Sequence, residues 1–178
     1  MKTLRRAVPL LALAALAAAG CMLTSGQFVA TYNLPDPFDV NSIAFAGTSV
    51  DLNTISEYKD HKDELKRVED LALVGNFTNL AFTTAQLEVW IVPDGSLTTL
   101  TPQQVKDNGT RLWGPLAVAG NSTEKVDWDR SSALFVGRQA LIDEVKGDGH
   151  FALYVLANGG FSVRVTQGTL IVVVGAAI

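Results

Sequence analysis

Residues 151–174 read FALYVLANGGFSVRVTQGTLIVVV, and the fold class is decided in this stretch. Phe151, Leu153 and Val155 alternate with Ala152, Tyr154 and Leu156, so the two sets point to opposite faces of an extended strand. Asn158-Gly159-Gly160 follows, and Asn and Gly tolerate the positive φ angles of tight turns. Phe161 to Val165 then reads as the returning arm of a β-hairpin. Leu170 to Val174 is apolar and largely β-branched. That pattern predicts a central strand buried on both faces, since an open edge of this kind would invite aggregation.

Upstream, further strands follow the same period of two. Phe28, Ala30 and Tyr32 share a face between Gln27 and Asn33, and Pro35-Asp36-Pro37 then stops regular pairing. A second strand is expected over Ser42–Leu52, with Ile43, Phe45, Val50 and Leu52 as core candidates and Gly47 as a bulge. Leu71, Leu73, Gly75 and Phe77 mark a third strand. Leu87, Val89 and Ile91 mark a fourth, which ends at the Pro93-Asp94-Gly95 turn. Arg111–Ala119, interrupted by Gly114-Pro115, and Lys125–Trp128 complete the series.

Helix signals are short. Thr54-Ile55-Ser56-Glu57 has capping-box spacing, and the mixed charges of Tyr58–Arg67 suit one surface helix. Thr101, Pro102 and Gln104 open a second, which Gly109 ends. Arg138–Lys146 carries Leu141, Ile142 and Val145 on one side, with Gly147 as its stop; it could begin as early as Ser132. Helices do not alternate with strands, so a parallel α/β sheet is disfavoured. The expected fold is all-β: an Ig-like or jelly-roll-like β-sandwich with two or three short helices, the alternative being a closed β-barrel.

The amino-terminal segment has a different character. Lys2, Arg5 and Arg6 precede an apolar run from Ala7 to Ala19, which is shorter than the roughly 20 residues a bilayer span requires. A basic start, an apolar middle and small residues at the end describe a secretory signal peptide. The segment closes on Ala18-Ala19-Gly20-Cys21. Ala17-Ala18-Ala19 also fits the small-residue rule for ordinary cleavage. The chain's only cysteine, however, falls where a thiol is required.

This ending resembles the lipobox of bacterial lipoproteins, although Ala18 stands where leucine is usual. The resemblance covers the targeting segment only. It implies cleavage before Cys21, diacylation of that cysteine and a membrane partnership through the lipid. Met22 in place of aspartate implies delivery to the outer membrane where a cell has two. The expected organisation is thus a removed signal peptide over 1–20, a lipid-anchored tether over 21–26 and a single β-sandwich domain over 27–178.

Of the 14 basic residues three lie in the signal, which leaves 11 against 18 acidic residues and a net charge of −7. That balance disfavours nucleic acid, which requires a basic face. It also disfavours close contact with anionic lipid. With no second cysteine the fold must hold by packing alone.

Chemical motifs are sparse. His61 and His150 are the only histidines, and neither sits in a nucleophile motif; no Gly-x-Ser-x-Gly elbow occurs. Two distant histidines make a poor zinc site. Asp127 and Asp129 would lie on one side of an extended segment and are weak calcium candidates. No cofactor motif is present. Trp90, Trp113 and Trp128 are the candidate ligand-binding residues, because an exposed indole can stack on a sugar or a partner.

Two functional readings follow. One is a non-catalytic, lipid-anchored envelope module that binds a protein partner or supports an assembly. The other is a carbohydrate-binding module using exposed aromatics, with or without calcium. Two or more exposed tryptophan rings favour the second, and buried rings the first.

Overall fold

The computed structural model describes residues 25–41, 47–93, 100–158 and 161–177. Their strands are β1 (Ser25–Asn33), β2 (Phe38–Asn41), β3 (Gly47–Asp51), β4 (Leu65–Asn79), β5 (Ala85–Pro93), β6 (Thr110–Val118), β7 (Ser122–Val126), β8 (His150–Ala157) and β9 (Ser162–Ala177). All pairs are antiparallel, and the strands divide into two sheets. The first runs β1-β9-β4-β7, with β2 also on β9; the second runs β3-β8-β5-β6. The two sheets pack face to face as a β-sandwich. Separate sheets rule out the closed barrel. Four short α-helices are described instead of two or three: α1 (Ser56–His61), α2 (Pro102–Asn108), α3 (Trp128–Leu134) and α4 (Arg138–Lys146).

Alternation builds the inter-sheet core. Leu87, Val89 and Ile91 face Leu71, Leu73 and Phe77 across one cluster, which also takes in Phe151, Leu153, Val155, Leu170, Val172 and Val174. The opposite face of β8 is buried too. Ala152, Tyr154 and Leu156 join Val92 of β5 and Val105 of α2, with Trp90 and Leu100 against them. Helix α2 thus covers the outer face of the second sheet. It forms as expected: Thr101 accepts from the Gln104 backbone, the Gln104 side chain answers at the Thr101 backbone, and Pro102 opens the first turn.

The expected 151–165 hairpin is overturned. β8 pairs with β3 and β5, whereas β9 pairs with β1, β2 and β4, so the chain crosses from one sheet to the other near Asn158. The turn glycines 159–160 lie outside the described residues. β9 is central, as expected, but it is not buried on both faces. Leu170, Val172 and Val174 are buried while Ile171 and Val173 remain partly exposed on the outer side.

β1 and β2 are one strand with a pause. Asn33 pairs with Thr169 and Phe38 with Val165, so Leu34–Pro37 interrupts pairing that then resumes on the same neighbour. At the same level Gln167 takes φ 54° and Gly75 takes φ 154°. A Cβ on Gly75 would lie 3.1 Å from the Gly168 Cα, so glycine suits this bulge of β4.

Other boundaries moved. Of the strand expected over 42–52, Gly47–Asp51 forms β3, while Ile43 and Phe45 lie outside the described residues, as does the Asp94-Gly95 turn. Leu52 sits in a 3₁₀ turn capped by Asp51. The Thr54–Glu57 box does not form: the Thr54 hydroxyl donates to the Asp51 carbonyl, and α1 starts without a side-chain cap. The helix expected over 58–67 ends early, because Leu65 already pairs with Ala176. The strand expected over 125–128 ends at Val126, and Trp128 opens α3. Phe135–Gly137 separates α3 from α4, so the latter begins at Arg138 and not Ser132. β1 starts at Ser25, inside the span expected to be tether.

At the end of the sandwich that carries Ser25, α1 and α4 close the core. Tyr58 is fully buried and its hydroxyl donates to the Val145 carbonyl at 2.9 Å. Burial, then the charges of Asp148 and Asp51, push the phenol up to about 12 from 10.0. A raised pKa means that the folded state resists ionisation, so this stability is intact below pH 10.0 and is lost as pH rises toward about 12. The loss should be on the order of 2 kcal/mol. Melting temperature titrated through that window should fall in the parent protein. In Tyr58→Phe it should start lower and fall less; equal slopes would disprove the assignment.

Candidate functional site

The three tryptophans do not converge. Trp113, on β6, is 0% exposed and stacks on Phe77 with centroids 5.5 Å apart. Its indole N–H is shared between the Ser131 carbonyl (3.1 Å) and hydroxyl (3.2 Å). Trp90 is half-buried on the outer face of the second sheet, against the cluster that α2 covers. Its N–H donates to Glu88 at 3.2 Å, and Glu88 also receives Arg111 at 2.8 Å. Trp128 is half-buried at the start of α3 and donates to Asp70 at 3.2 Å.

Helix α3 serves the fold. β7 pairs only with the Gly75–Asn79 part of β4, and α3 lies against β4 where β7 is absent. There the buried Ser131 hydroxyl accepts the Leu73 N–H at 2.7 Å. Asp70 sits at the same edge, where it receives Trp128, Arg138 (3.1 Å) and the Leu71 N–H (2.8 Å). Burial raises its carboxyl pKa, but these donors outweigh burial and leave it below the ordinary value.

Asp127 and Asp129 are not on an extended strand. Asp127 caps α3 by accepting the Arg130 N–H at 3.0 Å, and Asp129 follows in the first turn. Helical geometry removes the shared face that the extended reading gave them. Among the described residues no group of three His, Cys, Asp or Glu side chains is placed to hold a metal ion.

His61 meets Glu64 at 3.3 Å and packs its ring on Phe28. His150 begins β8, and its Nε2 lies 3.3 Å from the Ser49 hydroxyl. Asp51 pairs with His150 across the ladder, but its carboxylate is taken by the backbone and side-chain N–H groups of Asn53, each at 2.9 Å. A serine and a histidine thus meet on the sheet surface without the orienting carboxylate contact of a triad.

Among the described residues the most exposed large apolar side chain lies elsewhere. Phe82, in the β4–β5 loop, is 90% exposed, and Leu80 beside it is 46% exposed. The loop is firmly held. Asn79, 0% exposed, donates to the Thr83 (2.8 Å) and Val118 (3.0 Å) carbonyls and accepts the Ala81 N–H (3.0 Å). The Asn121 N–H reaches the Ala81 carbonyl at 2.9 Å. Gly120 passes so close that a Cβ would fall 2.1 Å from the Phe82 carbonyl. Residues 79–85 and 118–123 carry no charge. Sequence reading missed this site. Its signal was two large apolar residues between Asn79 and Thr83-Thr84, where a turn needs none.

Fold and side chains together define a class and no more: an antiparallel β-sandwich with a rigid, uncharged apolar tip. No protein-family model matches the chain, and no curated protein matches it.

Proposed function

We propose that this protein is an exported lipoprotein, anchored through lipid on Cys21, whose β-sandwich is a non-catalytic binding or structural-interaction module of the cell envelope. Where the cell has two membranes, the outer one is its destination. The observation that carries the reading is the opposition of two ends. β1 begins at Ser25, four residues after Cys21, which at about 3.5 Å per residue holds that end within roughly 14 Å of the lipid. β4 runs away from this end for 15 residues and delivers Phe82 beyond its far terminus. A rigid exposed aromatic is a typical anchor for a protein interface, because little entropy is lost when it docks.

The carbohydrate reading is the weaker of the two. It needs exposed indoles, and none of the three tryptophan rings is open.

Intact mass of the membrane-extracted protein tests the anchor: loss of residues 1–20 and added acyl mass on Cys21 are expected. An unmodified chain beginning at Gly20 would refute it. For the tip, a photo-crosslinking residue at position 82 should trap a defined partner in intact membranes, and one at the exposed Val136 should not. Equal yields from both positions would remove Phe82 from the proposal.

A further inference from the structure

A β-sandwich of two open sheets has four lateral edges, and three of them here are blunted among the described residues. β7 is five residues long and carries Glu124, paired with Arg130, and Lys125. β3 is also five residues long, and its Ser49 carbonyl is taken by the Tyr32 hydroxyl at 2.7 Å. β6 carries Pro115, which has no N–H to offer, at an irregularity in its register with β5, and its Leu112 carbonyl already accepts the Val136 and Gly137 N–H groups.

β1 has none of these protections. It is nine residues long, free of proline and charge, and in unbroken register with β9 from Ser25 to Asn33. Among the described residues no strand pairs with its other side. Helix α1 meets it from the inner face, through His61 on Phe28. Exposed edges of this length are ordinarily guarded, because their free N–H and C=O groups template another strand.

We infer that the β1 edge is an interface between two copies of this chain, paired antiparallel about a two-fold axis, with the strand pair lying along the membrane so that both proposed Cys21 anchors reach it. Two features point to a second copy. In a two-fold pairing each residue of the strand faces another of the same nine, or its own image at the axis, so an uncharged strand meets no like charge in any register. The sequence carries no charged residue from Ala7 to Pro35. The outer face also continues across the edge. Val29, 51% exposed, stands beside Val173, and Thr31 beside Ile171. A second β1 extends this apolar row and covers Val29, as an isologous contact does.

The test uses the detergent-solubilised full chain in sedimentation or light scattering across a concentration series. The parent protein should reach twice the single-chain polypeptide mass. Val29→Lys should remain at the single-chain mass with an unchanged melting temperature, because Val29 points to solvent. Thr31→Lys should do the same and serves if the first variant folds poorly. All three proteins retain Cys21, so loss of the doubled mass reports on the strand edge and not on lipidation. A parent protein at single-chain mass throughout, or a doubled mass that survives both lysine variants, would overturn the inference.

Discussion

Val172→Asp is expected to abolish cooperative folding, or to cost several kcal/mol where a folded population survives. Val172 is 1% exposed, and its strand neighbours are Ala30 of β1 and Leu71 of β4. A carboxylate there would face Leu and Val side chains with no cation to pair with. Such a group either stays charged at high cost or takes up a proton at a smaller one. β9 carries β1, β2 and β4 together, so a local fault reaches the whole first sheet. Urea titration followed by circular dichroism is the measurement. Val173→Asp, one residue on and partly exposed, should cost much less. A Val172→Asp protein with the parent's midpoint would mean that the first sheet is assembled differently.

Trp113→Ala is expected to remove about 3–5 kcal/mol, the usual range for emptying a large aromatic site in a core. The ring fills space beside Phe77 that β6 cannot recover, because Phe135–Gly137 already holds that edge. The loss would spread to Ser131, which takes the Trp113 N–H and the Leu73 N–H on one hydroxyl. Trp113→Phe should recover part of the loss, since it keeps the stack and removes only the indole donor. Thermal and urea unfolding would check both variants. If alanine cost under 1 kcal/mol, Trp113 would not be part of the packed core.

The legible parts of this fold were those decided within a few residues. Thr101-Pro102-x-Gln104 places its own donors and acceptors, and α2 formed as read. The alternation of 151–156 gave both faces of β8, because side-chain direction is a local property. Partners are not local. A strand, an Asn-Gly-Gly turn and another strand suit a hairpin and an arch between sheets equally well. Which one forms depends on whether β1 and β4, far away in sequence, take β9 instead. The same competition cut short the helix expected over 58–67. Its i,i+4 charge pairs contribute a few tenths of a kcal/mol each, and β4 gains a long ladder on β9 by starting at Leu65. Candidate site residues fared by the same rule. Trp113 looked like a surface aromatic until Phe77 and Ser131 arrived from other elements. Phe82 lies between two strands where no periodicity marks it, and its significance rests on its exposure in the folded chain.

The place of β9 also sets an order in time. It is the last strand described in the chain, yet β1, β2 and β4 all depend on it for their pairing. Until residues 162–177 are present, β1 and β2 have no neighbour to close upon, and β4 has β7 along Gly75–Asn79 alone. A chain exported amino end first would therefore keep this sheet open until residues 162–177 have crossed. The sandwich would close only when β9 arrives, so threading and folding of the strands before it would not compete.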